Sequence, residues 1–250
     1  MRRLLCMVPG TLLAGVLLLT SGCRQGSEEL EILCGNSFRP PMEELARRYE
    51  EETGKKVQMS FGGSQDLLPH IKLKAKGDVF VSHTPYQQYT KDSDALFREV
   101  EVGFQTPVLV VQKGNPKKIE RFEDLARPGL RVVLPDPKDS TCGEMVFKRL
   151  EEAQITDQVE QNVGNHLVRE HSEVGKQLQL DAADVGIMWN GVAHTFKDAV
   201  EIVPDPGAYE EIKLSVMGLS YSKKKENLAD FLDFVEKHGK QVFEDFGYVK

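Results

Sequence analysis

The chain has 250 residues, of which 40% are hydrophobic and 28% are charged, and its formal net charge is -7 at pH 7. This composition excludes collagen-like, coiled-coil and disordered chains, and the length is enough for one large core or two smaller ones. Because the sequence has no basic stripe with interleaved aromatic residues, we expect no nucleic-acid partner.

The first 22 residues predict an export signal. Arg2 and Arg3 precede a mostly apolar run that is short for a membrane span, and small residues lead into Cys23. This pattern resembles the lipobox of bacterial lipoproteins, in which the cysteine carries the lipid. We expect a lipoprotein signal peptide over 1–22, a tether over 23–29 and a protein anchored through Cys23 in the cell envelope, facing the periplasm or the exterior. An ordinary secretory signal is the alternative.

Strands and helices alternate after the tether. A strand over 30–33, a helix from Pro40 to Gly54, a strand over 57–61, a helix over 67–75 and a strand over 78–82 form consecutive β-α-β units. Such units predict a mostly parallel sheet with helices on its faces.

A second unit follows in the same style. The remaining predicted strands are 107–112, 131–134, 185–189, 199–203 and 212–219, and the remaining predicted helices are 120–126, 144–153, 174–180 and a final one from 228. The chain therefore predicts an α/β, two-lobed fold, each lobe a mostly parallel sheet flanked by helices, with a ligand cleft between the lobes. We expect residues 30–105 plus 205–250 in lobe I and residues 106–204 in lobe II.

Three serines share one local pattern. Ser37, Ser64 and Ser140 each follow a predicted strand and precede a predicted helix. The carboxyl ends of strands are where open α/β sheets bind ligands, and a helix N-terminus offers free N–H groups to an anion. The sequence predicts a shared anion site at these serines. The alternative is that each serine only caps its helix.

Several stretches resemble one known family. Residues 33–37, the helix ending in Thr53-Gly54, residues 57–64, the strand 77–82 and residues 183–189 are similar, in this order, to segments of the periplasmic molybdate-binding proteins of ABC transporters. These are type II solute-binding proteins, and the resemblance covers most of residues 30–220. It implies a binding protein with the two-lobed fold.

The resemblance also implies a site. Ser37 and Ser64 would donate hydroxyl and backbone N–H groups from lobe I, and lobe II would add the backbone N–H of Cys142 and the loop at His171. Trp189 stands where the family commonly has a tyrosine that donates to the oxyanion.

The expected function is capture of a tetrahedral oxyanion, with molybdate or tungstate first, for delivery to an ABC importer permease. We expect no enzyme activity, no cofactor and a monomer. Phosphate, sulfate or a phosphonate is the alternative ligand, and a secreted hydrolase that uses serine or cysteine is the alternative outside binding proteins. A base within hydrogen-bond reach of Cys142, Ser64 or Ser140 would favour the hydrolase.

Other reactive residues give weaker patterns. Cys34 and Cys142 would be the two cysteines left after export and lipidation, and a disulfide between them stays open. The six histidines never have the close spacing of zinc ligands, so we expect no cation site.

Overall fold

A computed structural model describes residues 29–205 and 209–249. The predicted signal peptide and Cys23 lie outside the described residues. Within them, no helix is both long enough and apolar enough to cross a membrane.

The first sheet has the strand order β2-β1-β3-β10-β4. Strands β2 and β3 run parallel to β1, whereas β10 is antiparallel to β3 and β4. β1 and β2 end level, with Gly35 opposite Gly62, so the loops after these two strands lie side by side. The strands are β1 (Leu30–Gly35), β2 (Val57–Gly62), β3 (Val79–His83), β4 (Leu96–Gln105) and β10 (Ile212–Leu219).

The second sheet has the strand order β7-β6-β8-β5-β9. β6 is parallel to β7 and β8, and β5 is antiparallel to β8 and β9. The strands are β5 (Pro107–Gln112), β6 (Val132–Pro135), β7 (Leu167–Val168), β8 (Val185–Trp189) and β9 (Val200–Val203).

Eight α-helices lie in the described residues, with 3-10 turns at Asn36–Phe38 and Phe122–Ala126. The longest helices flank the first sheet, and the first of them ends at Gly54, whose φ of 70° is the left-handed conformation that glycine adopts without strain. The helices are α1 (Arg39–Thr53), α2 (Ser64–Lys72), α3 (Tyr86–Asp92), α4 (Thr141–Glu152), α5 (Thr156–Val163), α6 (His171–Gln179), α7 (Asn190–Thr195) and α8 (Lys225–Asp245).

Each sheet has its own core. Alternate residues of β1 point to opposite faces, so Ile32 and Cys34 pack with α1 and α8 while Leu33 packs with α2. A separate apolar cluster surrounds the second sheet and includes Cys142. Because the two cysteines lie in different cores and are both free, the disulfide alternative is wrong.

The two-lobed α/β fold is confirmed, with one difference in the sheets. Both are mixed rather than mostly parallel, because β5 and β10 each pair antiparallel with two neighbours. The first lobe is the first sheet with its helices, and the second lobe is the second sheet with its helices. The predicted lobe boundaries, 30–105 plus 205–250 and 106–204, stay a prediction.

Candidate functional site

A pocket of about 60 Å³ lies between the lobes, at the carboxyl ends of the parallel strands. The N-termini of α2, α4 and α6 reach it, together with the 3-10 turn before α1. The first N–H groups of a helix have no acceptor within the helix. The wall is therefore rich in donors. It is formed by Gly35, Asn36, Ser37, Phe38, Gly63, Ser64, Gln65, Asp66, His83, Asp139, Ser140, Thr141, Arg169, Glu170, His171 and Trp189.

Ser64 is the first residue of α2 and is buried. Its Oγ accepts a hydrogen bond of 2.8 Å from Ser82 Oγ at the end of β3. A hydroxyl has one hydrogen and two lone pairs, so Ser64 keeps its own hydrogen for a ligand. Its side chain makes no cap hydrogen bond, and the N-cap of α2 is Gly63.

Ser37 lies in the 3-10 turn between β1 and α1. Its backbone carbonyl accepts a hydrogen bond from the hydroxyl of Tyr248, a fully buried residue that packs on Phe38 and Phe243. The N-cap of α1 is Phe38, without a side-chain cap bond. The alternative that Ser37 and Ser64 serve only as helix caps is therefore wrong.

The second lobe contributes a serine and a histidine in contact. Ser140 Oγ lies 3.0 Å from Nε2 of His171 and accepts the backbone N–H of Gly143 at 3.3 Å. Ser140 thus caps α4, and of the three serines for which the cap alternative was stated, it is the one whose side chain makes a cap hydrogen bond. Nδ1 of His171 has no partner among the described residues.

Trp189 ends β8 and is buried between two imidazoles. Its ring centroid lies 5.9 Å from that of His83 and 5.5 Å from that of His171. Burial lowers the pKa of His83 to about 4, and burial, with a smaller contribution from His83, lowers the pKa of His171 to about 3. Both rings are therefore neutral at pH 7, and the pocket offers neutral donors at this wall.

These lowered pKa values predict a pH dependence of stability. As the pH falls from 6.5 towards 4, His171 of the unfolded chain binds a proton that the folded chain does not accept, so the free energy of unfolding should fall. We expect the free energy of unfolding of His171→Gln to decrease less over this pH range than that of the parent protein. Denaturant unfolding between about pH 8 and about pH 4.5 measures this decrease, with the exposed His70→Gln as a control that keeps the parent profile. An unchanged profile for His171→Gln would contradict the assignment.

Polar contacts join the lobes around the pocket. Asn36 Nδ2 donates to Glu170 Oε1 at 2.7 Å, and Gln65 Nε2 donates to the carbonyl of Asp139. Arg169 forms an ion pair with Asp66 across the lobes at 3.2 Å and a second ion pair with Asp139, in its own lobe, at 3.7 Å. The described lobes therefore meet in a closed arrangement, in which each of these charged groups already has a partner.

Four of the five predicted site residues line this pocket, namely Ser37, Ser64, His171 and Trp189. Cys142 differs, because its side chain is fully buried in the core of the second lobe. Its backbone N–H belongs to the first turn of α4, next to Ser140 and Thr141, and its role as a donor stays a prediction.

The hydrolase alternative has one feature in its favour, the contact between Ser140 and His171. A triad also needs a third group that orients the imidazole, and no described residue binds Nδ1 of His171. Burial raises the pKa of the Cys142 thiol well above its usual range, which removes the reactive thiolate. Among the described residues, no group of three or more histidine, cysteine or carboxylate side chains could hold a metal ion.

Sequence reasoning missed Ser82 and His83, which follow the same pattern as the predicted serines. Both lie at the end of β3, a strand parallel to β1, so the rule about carboxyl ends of strands would have found them. It also missed the interlobe contacts of Asn36 and Arg169. Their partners are 134 and 103 residues away, and no local pattern encodes such pairs.

The profile of a protein family described as bacterial extracellular solute-binding protein matches residues 30–249. The chain belongs to this family. It is accordingly a binding protein rather than an enzyme, and it acts outside the cytoplasm.

Individual relatives agree with this assignment. The chain is 26% identical over 240 residues to the molybdate-binding protein ModA of Mycobacterium tuberculosis, covering 92% of this chain and 88% of the relative. It is 28% identical over 112 residues to the sulfate-binding protein of Escherichia coli, covering 38% of this chain and 32% of the relative. The solved periplasmic molybdate-binding protein of Azotobacter vinelandii has the same fold, with a TM-score of 0.71, 19% identity and coverage of 89% and 99%.

Proposed function

We propose that this solute-binding protein captures a tetrahedral oxyanion, molybdate or tungstate first, and delivers it to the permease of an ABC importer. The observation that carries the proposal is the small interlobe pocket at which the N-termini of α2, α4 and α6 converge with the hydroxyls of Ser37 and Ser64. Three helix dipoles, and first-turn N–H groups that have no acceptor within their own helices, favour negative charge there. Relatives that bind molybdate support the choice of ligand.

The donor set suits a fully deprotonated ion. An oxyanion without protons can only accept hydrogen bonds, and it loses its water inside the pocket, which is costly unless its oxygens find donors. Hydroxyl and backbone N–H groups, with neutral His83 and His171 beside them, supply these without a cation. The cation Arg169 already pairs with Asp66 and Asp139.

Calorimetric titration tests the ligand. Molybdate, tungstate, sulfate and phosphate are titrated into the mature protein carrying Cys23→Ala, which removes any lipid. We expect molybdate or tungstate to bind most tightly, and at 100 times its dissociation constant to stabilise the protein by about 2.7 kcal/mol. If sulfate binds more tightly than molybdate and tungstate, sulfate becomes the assigned ligand, an outcome consistent with the partial match to sulfate-binding proteins. No heat and no change in melting temperature with any of the four would refute oxyanion capture.

The predicted anchor gives a separate prediction. We propose that Cys23 is lipidated, because small residues and an apolar run precede it as in lipoproteins. Two or more acyl chains on one residue are enough for stable anchoring. In fractionated cells the native protein should remain with membranes and Cys23→Ala should become soluble, while Cys6→Ala, inside the signal, should not. A mature N-terminus other than Cys23 in mass spectrometry would exclude the anchor.

A further inference from the structure

A second cavity of about 360 Å³ adjoins the oxyanion pocket. The two share Asn36, Ser37, Glu170 and His171 as wall residues. A bare tetrahedral ion has no substituent to place in this second space. Since the larger cavity begins at the wall of the smaller one, a ligand with an oxyanion head and a short substituent could occupy both.

The second cavity has a cation, Arg39, that does not line the oxyanion pocket. Arg39 lines the second cavity at the start of α1, and it is the only lysine or arginine among the described residues of that cavity's wall. The guanidinium carbon lies 3.7 Å from the ring centroid of Phe61, so the group stacks on that ring. Within the described part of the chain, its one ion pair is with Glu43, at 3.5 Å, between two half-exposed side chains. A guanidinium has five N–H donors, which leaves most of them for another acceptor.

The rest of the wall mixes hydroxyl and apolar groups. Ser172 and Thr195 contribute hydroxyls, and Pro40 and Val192 contribute apolar surface. Thr195 Oγ1 donates to the carbonyl of Val192 at 2.7 Å and remains an acceptor. The carboxylate in the wall, Glu170, accepts the amide hydrogen of Asn36 at 2.7 Å. These groups suit a short polar chain that ends near Arg39.

We propose that this cavity is a subsite for the organic part of a small phosphate monoester that carries a carboxylate. The phosphoryl group occupies the oxyanion pocket, and the carboxylate pairs with Arg39, whose planar donors match a carboxylate in two-point geometry. The inference rests on the proposed oxyanion site and extends its ligand class from bare ions to their carboxylated esters.

Titration with phosphoglycolate and inorganic phosphate, alongside molybdate, tests the subsite in the Cys23→Ala protein. We expect phosphoglycolate to bind at least about tenfold more tightly than phosphate, as one added hydrogen-bonded charge pair allows. Arg39→Gln should abolish this advantage and change the affinity for phosphate and molybdate by less than about threefold. Arg47→Gln is the matched control, because Arg47 lies on the same helix and pairs with Glu44 and Glu51 outside both cavities.

The outcomes separate the two proposals. If molybdate or phosphate binds and phosphoglycolate binds no more tightly than phosphate, the subsite is wrong and the oxyanion site stands, with the second cavity as solvent space. An equal loss for all ligands in Arg39→Gln also overturns the subsite, because Arg39 would then act on the oxyanion pocket itself. If no oxyanion binds at all, both proposals fail.

Discussion

Ser64→Ala is expected to weaken oxyanion binding by about ten- to hundredfold, because a hydrogen bond to a charged group contributes about 1.5–3 kcal/mol. The Ser64 hydroxyl is buried in the pocket wall and accepts from Ser82, so its own hydrogen is free for the ligand. The substitution costs no helix cap, since Gly63 holds that position. Calorimetry with the tightest-binding oxyanion measures the loss.

Ser93→Ala is the matched control for this variant. Ser93 also lies in the first lobe, and its hydroxyl donates to the carbonyl of Tyr89 at an exposed helix end. The oxyanion affinity of Ser93→Ala should equal that of the parent protein. Ser64→Ala loses a partner for the Ser82 hydroxyl as well, which lowers stability by about 1–3 kcal/mol in the free and bound forms alike. An unchanged titration curve for a folded Ser64→Ala would place the oxyanion elsewhere.

Gly143→Ala is expected to lower the free energy of unfolding by about 2–3 kcal/mol. A Cβ on Gly143 would lie 2.7 Å from backbone atoms of Pro135 and Asp136, at the end of β6, and backbone cannot rotate away as a flexible side chain can. The first turn of α4 must therefore shift. That shift also stretches the cap bond from the Gly143 N–H to Ser140 Oγ and moves a pocket wall, so oxyanion affinity should fall too.

Lys148→Ala is the control on the same helix. Its side chain is 77% exposed and makes a 3.8 Å pair with Glu152. Such surface changes usually stay within about 0.5 kcal/mol of the parent. Denaturant unfolding and calorimetry on both variants give the comparison. Parent-like stability of Gly143→Ala would show that α4 and β6 leave room for a methyl group between them.

The predicted elements with clear apolar periodicity match the structure, and in two of the missed ones polar residues weaken that pattern. The strand β5 has the predicted bounds, 107–112. The ten-residue strand β4 was missed although Val100 and Val102 alternate with Glu99 and Glu101, because Arg98 interrupts the apolar face early in a strand that pairs with β10 along its length. The helix α3 was missed because it is short and buries Gln87 and Thr90 in place of apolar residues.

The residues of the candidate site likewise fall into those that the sequence could predict and those that it could not. Residues directly after a strand could be found, since the position of a strand end can be predicted from the sequence alone. The neutral state of His171 could not, because its lowered pKa arises from burial by distant segments. The second cavity could not be predicted from the sequence either. Its walls come from residues 36–40, 170–172 and 192–195, which meet only when the lobes are folded and closed.

Trp189 is the only tryptophan of the chain, and it lies in the pocket wall with 2% of its surface exposed. Its indole is packed between the rings of His83 in the first lobe and His171 in the second. Fluorescence excited at a wavelength that only indole absorbs therefore comes from one place in the parent protein, the junction of the lobes. If the proposed oxyanion site is correct, intrinsic fluorescence should change when an ion binds, without any attached dye, and stopped-flow mixing should give the rate.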